Sequence, residues 1–277
     1  MTKKEIEKNY KKLLDQKLNL DLTRGQPSKE QLKLSEPMDQ ILKNKFNFDG
    51  EDLRNYGLIK GLDSTRKLGA ILLGINYKNV IANGTSSLNL TSMVIQALFF
   101  KGINGAAWKH YKKISFLCPV PGYDRHFSLL EMMGINMINV PLKGDGPDMD
   151  YAEKLVKKDK SIKGIICVPK HSNPTGETYS LKVLERLARL PNKASKDFMI
   201  FYDNAYSVHN FKKSKKLGNI FNFCKKSNTS NNIVMFASTS KITFAGAGIS
   251  FLAASEKTLS NFLSFYQNTR VGSDKIT

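Results

Sequence analysis

The sequence predicts an α/β fold: three layers, α/β/α, around a mostly parallel sheet of about seven strands. Three observations carry this. Seven short apolar runs of strand length recur along the chain, and segments with helical periodicity alternate with several of them. Uninterrupted apolar runs fit strands covered on both faces, and alternation with helices fits the crossovers that a parallel sheet requires. The third is size: 277 residues with 41% hydrophobic content suffice for one large domain or two modest ones with a sizeable core.

The elements follow in order. From Lys3 to Leu18, apolar Ile6, Tyr10, Leu13, Leu14 and Leu18 recur at helical spacing among lysines, which reads as a basic amphipathic helix. An irregular stretch follows, with LTRGQPS from Leu22 and FDGEDLRNYG from Phe48. The predicted strands are Val80–Ala82, Ile114–Cys118, Met137–Val140, Ile162–Val168, Phe198–Tyr202, Ile233–Phe236 and Ile249–Ala253. The predicted helices are Ser64–Gly74, Ser86–Phe99, Asp124–Met133, Met149–Lys158 and Leu181–Leu190. Lys212 to Asn232, rich in Lys, Asn and Ser, reads as a mobile surface loop. No internal repeat is present.

Lysine and arginine number 43 against 24 acidic residues, a formal net charge of +19. Such an excess attracts polyanions at long range. The charge is spread along the chain, however, and its densest runs, KKEIEKNYKK from Lys3 and KKSKK from Lys212, are not interleaved with aromatics in a base-stacking pattern. Nucleic acid is therefore not the expected partner, and an anionic small ligand fits better. Cys118, Cys167 and Cys224 have neither metal-knuckle nor redox-pair spacing, so no metal is expected. An odd cysteine count without a framework, no apolar signal core and no membrane-length apolar run place the expected compartment in the cytoplasm.

In open parallel sheets, ligands bind beyond the carboxyl ends of the strands. Five predicted strand ends carry polar or turn-forming residues: Asn83–Ser86, Pro119–Tyr123, Pro169–Gly176, Asp203–Tyr206 and Ser238–Lys241. Gly84 permits a tight turn, and the N–H groups of Thr85, Ser86 and Ser87 then open a helix as a phosphate cradle; an ordinary Ser/Thr helix cap reads the same way. Asp203 ends an apolar strand, where a carboxylate needs a partner such as a protonated ring nitrogen or a salt-bridging cation. Pro174 restrains Asn173 to extended backbone and so aims its amide, although Asn-Pro is also a common turn pair. Tyr123 offers a flat face, Tyr206 a hydroxyl, and Lys241 an amine, which in isolation is more often a solvated charge. Together they describe a ligand with a phosphate, an aromatic ring, a ring nitrogen needing an anion, a ring hydroxyl and an aldehyde. Pyridoxal 5'-phosphate has these groups.

The NPTG at Asn173, the D-x-A-Y at Asp203 and the S-x-S-K from Ser238 to Lys241 stand in one order and spacing. In these motifs, and from about Leu20 onward, the chain resembles the fold-type I pyridoxal-phosphate enzymes, the aspartate aminotransferase superfamily. The resemblance implies that Lys241 holds the cofactor as a Schiff base and then moves a proton at the substrate α-carbon. It implies that Asp203 keeps the pyridine nitrogen protonated, that Asn173 and Tyr206 bind the ring oxygen, and that Tyr123 stacks on the ring. Gly84, Thr85, Ser86 and Ser238 would hold the phosphate. Tyr56, in RNYGLIKG, would reach the phosphate of a neighbouring subunit, which implies a homodimer, and Gly25 would lie near the substrate carboxylate. The implied reaction moves an amino group between an amino acid, with aspartate the donor suggested by this branch, and a 2-oxo acid. Lyase or decarboxylase chemistry on the same scaffold, and a cofactor-binding remnant without turnover, are the alternatives.

Two departures accompany the resemblance. Many members place a phosphate-binding arginine about two turns after the lysine, where this chain has Gly248 and Ile249; Arg270 is the next arginine. The expected division is 1–55 as N-terminal helix and substrate-side segment and 56–277 as the cofactor-binding large domain. The family's C-terminal small domain, with its carboxylate-gripping arginine, is expected to be absent or truncated.

Overall fold

The computed structural model describes residues 1–19, 27–39, 41–210 and 217–276. Helix α1 (Lys3–Asp15) begins at a capping box in which the Thr2 hydroxyl accepts from the Glu5 N–H and the Glu5 carboxylate accepts from the Thr2 N–H. The predicted amphipathic helix thus forms, but none of its residues is buried. A short helix α2 (Lys29–Lys33) and a small hairpin of β1 (Asn47–Phe48) and β2 (Glu51–Asp52) follow.

The regular part then runs α3 (Asp63–Leu73), β3 (Val80–Ala82), α4 (Ser87–Phe100), β4 (Ser115–Val120), α5 (Asp124–Met132), β5 (Asn136–Pro141), α6 (Met149–Lys158) and β6 (Ile162–Cys167). It continues with α7 (Leu181–Arg189), β7 (Met199–Asp203), α8 (Ile220–Lys226), β8 (Ile233–Ser238), β9 (Ser250–Ala254) and α9 (Glu256–Tyr266). All seven predicted strands and five predicted helices appear, shifted by a residue or two at their ends. Besides α2, β1 and β2, which stand in the stretch read as irregular, two elements of the regular part were not foreseen. The expected loop from Lys212 to Asn232 contains α8, whose Ile220, Phe221 and Cys224 are buried; its polar flanks hid a single apolar turn. Helix α9, capped by Ser255, follows β9 directly and buries Leu259, Phe262 and Tyr266.

The seven strands form one sheet in the order β3-β9-β8-β7-β6-β4-β5. Pairing is parallel from β5 through β8, while β9 is antiparallel to both β8 and β3. Six strands therefore point one way, and their carboxyl ends lie along one rim. Strand alternation divides the core in two. Val80, Ile200, Tyr202 and Met235 pack with α3, α6, α7 and α8 on one face. Ile81, Phe116, Phe201 and Phe236 pack with α4, α5 and α9 on the other. All three cysteines are buried and free, and burial pushes the Cys118 and Cys224 thiols up to about 12. No described helix is long and apolar enough to cross a membrane.

The opposite rim carries a buried ion pair. Lys163 and Asp197, both 4% exposed, meet at 2.8 Å, and the ammonium also lies 3.9 Å from the Tyr111 ring centre. Removing one partner of such a pair strands the other charge in the core. Lys163→Met is expected to lower unfolding free energy by about 3–5 kcal/mol. The double variant Lys163→Met/Asp197→Leu should recover much of that loss, both read by urea denaturation. A double-variant loss equal to the sum of the losses in Lys163→Met and Asp197→Leu alone would show that the charges do not interact.

Candidate active site

The rim of carboxyl ends holds a cavity of about 390 Å³, lined by residues that follow β3, β4, β6, β7 and β8. That volume suits a small ligand of cofactor size. Among the predicted residues, Thr85, Ser86, Tyr123, Asn173, Asp203, Tyr206, Ser238 and Lys241 all line it. Gly84 stands just behind them with φ +63, a conformation that glycine tolerates freely, and its carbonyl accepts the Ser250 N–H at 2.7 Å. Tyr56 does not line the cavity and is 85% exposed. Gly25 lies outside the described residues.

Asp203 is 5% exposed. Alternation along β7 puts it on the side of Phe201, the face that α5 covers. From α5, His126 brings its Nε2 to 3.1 Å from Asp203 Oδ2, while Asp203 Oδ1 is buried without a partner among the described residues. The sequence reading missed His126. Its signal was position: it lies in the first turn of the helix that Tyr123 opens, and the two rings meet edge to face at 5.1 Å.

Lys241 Nζ sits 4.9 Å from the centre of the Tyr206 ring. Burial raises the Tyr206 hydroxyl above the ordinary tyrosine range, opposed by a hydrogen bond with Asn173. Burial also raises Tyr123, with the Lys241 charge pulling the other way. Both phenols thus remain neutral donors well past neutrality.

At the other end of the cavity, Ser86 occupies the N-cap of α4 but makes no side-chain cap bond. The simple cap reading therefore does not describe its hydroxyl. Ser240, also missed, joins this end: its hydroxyl donates to the Thr85 carbonyl at 2.8 Å, and its N–H donates to Ser238 Oγ at 3.0 Å. This ties the turn carrying Lys241 to the loop opening α4. Among the described residues, no arginine lines the cavity. Arg270 lies 5.0 Å from the Tyr266 ring centre. Ile249 is 8% exposed and packs into the core. A Cβ at Gly248 would stand 2.9 Å from both Ser240 N and Thr239 Oγ1.

Gly248→Ala should therefore displace the turn and destabilise the protein by about 1–3 kcal/mol. Gly246→Ala, where a Cβ meets nothing within 4 Å, should stay within about 0.5 kcal/mol of the parent. Thermal unfolding of the two variants compares them directly, and equal stability would refute the close packing of this turn.

A family model described as aspartate amino-transferase matches residues 1–277. A Mycolicibacterium smegmatis protein named as an aminotransferase is 42% identical over 277 residues, covering 98% of this chain and 64% of its own length. Aspartate aminotransferase of Corynebacterium glutamicum is 41% identical over 257 residues, 91% of this chain and 59% of that protein. The crystal structure of an aminotransferase from Corynebacterium diphtheriae superposes with a TM-score of 0.91 at 39% identity, covering 99% of this chain and 68% of the other. The chain thus spans about three-fifths of the length of the curated relatives it matches. Matched by the family model from end to end and sharing two-fifths of its residues with these relatives, the chain belongs to the aspartate aminotransferase family.

Proposed function

We propose that this chain binds pyridoxal 5'-phosphate and, through Lys241, moves an amino group between an amino acid and a 2-oxo acid. One observation carries the reading: a lysine amine, a carboxylate with one unpartnered buried oxygen and an uncapped helix N-terminus converge on one cavity. These are the groups that an aldehyde, a pyridinium and a phosphate need, so the residues present fit the cofactor. Bound there, pyridoxal phosphate supplies an aldehyde that condenses with amines and a ring that accepts carbanion electrons.

The chain's own residues divide the remaining work. Asp203 would accept the ring N–H on the oxygen that His126 leaves free, and His126 fixes the carboxylate by the other. Tyr206 and Asn173 would donate to the ring oxygen, since burial keeps the Tyr206 hydroxyl protonated. Tyr123 would cover the ring, and Thr85, Ser86 and Ser238, with the turn at Gly84, would hold the phosphate at the positive end of α4. Lys241 would hold and move the proton taken from the substrate α-carbon, a role that general base catalysis values at about 10²–10⁴-fold in rate. Residues 56–277 would form the cofactor-binding part and 1–55 a substrate-side segment with Gly25. The exposed Tyr56 suits a residue that reaches into the cavity of a second copy in a homodimer. Aspartate is the first donor to test, because the Corynebacterium glutamicum relative is named for it.

Adding pyridoxal phosphate to the purified chain should raise an absorption band near ~400 nm, as expected of a lysine Schiff base. Borohydride should then fix the cofactor mass on the peptide containing Lys241. Aspartate should discharge the band and release a 2-oxo acid, and Lys241→Ala should cut turnover by ~10²-fold or more. No band, or an equal band in Lys241→Ala, would overturn the assignment.

A further inference from the structure

His209 is a residue to which the proposed reaction assigns no role, yet it touches both Tyr206 and Lys241. Its ring meets the Tyr206 ring edge to face, with centroids 5.7 Å apart at 80°. Its Nε2 lies 2.9 Å from the main-chain oxygen of Lys241. A carbonyl only accepts, so Nε2 carries the hydrogen and the tautomer is fixed by geometry. Nδ1 is buried without a partner among the described residues. Since the Lys241 amine itself lies 4.9 Å from the Tyr206 ring centre, the three residues form a closed triangle. One end of Lys241, its backbone, is held by His209; the other, its amine, rests on the ring that His209 supports.

The turn around Lys241 leaves this task open. The Thr239 carbonyl accepts the N–H groups of both Ile242 and Thr243, at 2.8 and 2.9 Å. Ser240 secures the other flank through the Thr85 carbonyl. No backbone N–H among the described residues donates to the Lys241 carbonyl. His209 comes from the loop after β7, three residues beyond Tyr206, so the bond joins the ends of β7 and β8 on the side away from the Ser240 tie.

We propose that His209 is a positioning residue: its Nε2–H bond to the Lys241 carbonyl sets where the Lys241 amine stands relative to Tyr206. The proposal rests on the assignment of Lys241 as the cofactor-bearing amine. A displacement of about 1 Å at a reacting group can cost up to ~10²-fold in rate, so a backbone anchor at this lysine has a functional consequence.

Two variants separate the bond from the packing. His209→Phe keeps an aromatic ring but has no donor. His209→Gln loses the ring but can place an amide N–H where Nε2–H stands. Two readouts are taken on each. One is the rate at which pyridoxal phosphate becomes borohydride-fixed on Lys241. The other needs no cofactor: amide hydrogen exchange of the peptide holding Ile242 and Thr243 in the free chain. His209→Phe should slow capture about tenfold and speed exchange by a similar factor, the scale of one ordinary hydrogen bond. It should lower kcat with KM for the amino acid little changed. His209→Gln should restore both readouts to near the parent. Parent-like capture and exchange in His209→Phe, or a His209→Gln as impaired as His209→Phe, would overturn the proposal. Should His209→Phe not fold, His209→Met, also without a donor, takes its place. Absence of capture by the parent chain would count against the cofactor assignment, and hydrogen exchange would then decide the anchoring role alone.

Discussion

Strand β9 runs against both of its neighbours, and that reversal brings the ends of β3 and β8 together. Because β9 lies between them, its first residues stand at the same rim as their last. Ser250 shows how closely: it pairs with Ser238 across the sheet on one side and exchanges hydrogen bonds with Asn83 and Gly84 on the other. The loop that opens α4 and the turn that carries Lys241 are thereby held on one three-strand ladder. The Ser240 hydroxyl completes the link by donating to the Thr85 carbonyl. A helix N-terminus suited to an anion and an amine suited to an aldehyde need a fixed separation to grip one molecule, and backbone pairing supplies it without flexible side chains.

The other half of the cavity depends on desolvation. Asp203 is a carboxylate at the end of a buried strand, and such a charge is tolerated only with partners. His126 satisfies one oxygen, and the other has no partner among the described residues. Burial acts on the phenols in the opposite sense from their loss of protons, so Tyr123 and Tyr206 stay donors. Arranged around Lys241, the walls thus present an acceptor at one end, neutral donors in the middle and backbone amides at the far end. The net charge of +19 plays little part in these walls, since among the described residues no arginine and only one lysine line the cavity.

The strands were readable because their apolar runs are uninterrupted, as burial on both faces requires, and the site was readable because five of them end in residues that do not suit a core. What escaped notice obeys a different logic. Helix α8 has seven residues between polar flanks, too short for periodicity to outweigh composition. His126 and His209 lie on a helix turn and a loop whose spacing to Tyr123 and Tyr206 acquires meaning only when the chain folds back. Ser240 looked like filler in a hydroxyl-rich run, and its partner, the Thr85 carbonyl, lies 155 residues away. The antiparallel sense of β9 was equally hidden, since an apolar run does not record its direction.

The absent arginine after Lys241 illustrates how one local packing choice removes another option. The turn after β8 closes so tightly that the Thr239 hydroxyl accepts the Ile249 N–H at 2.9 Å, and Gly248 lies against the backbone of Ser240. A side chain at 248 would separate these groups, and one at 249 enters the apolar core beneath the sheet. A guanidinium therefore cannot approach the cavity from either position while this turn persists. The same closeness is what sets the Ser240 hydroxyl against the Thr85 loop. Hydroxyls and amides at the mouth of α4 and a long cation reaching in from the 248–249 turn are alternative solutions to one anion, and the geometry of Gly248 admits the first.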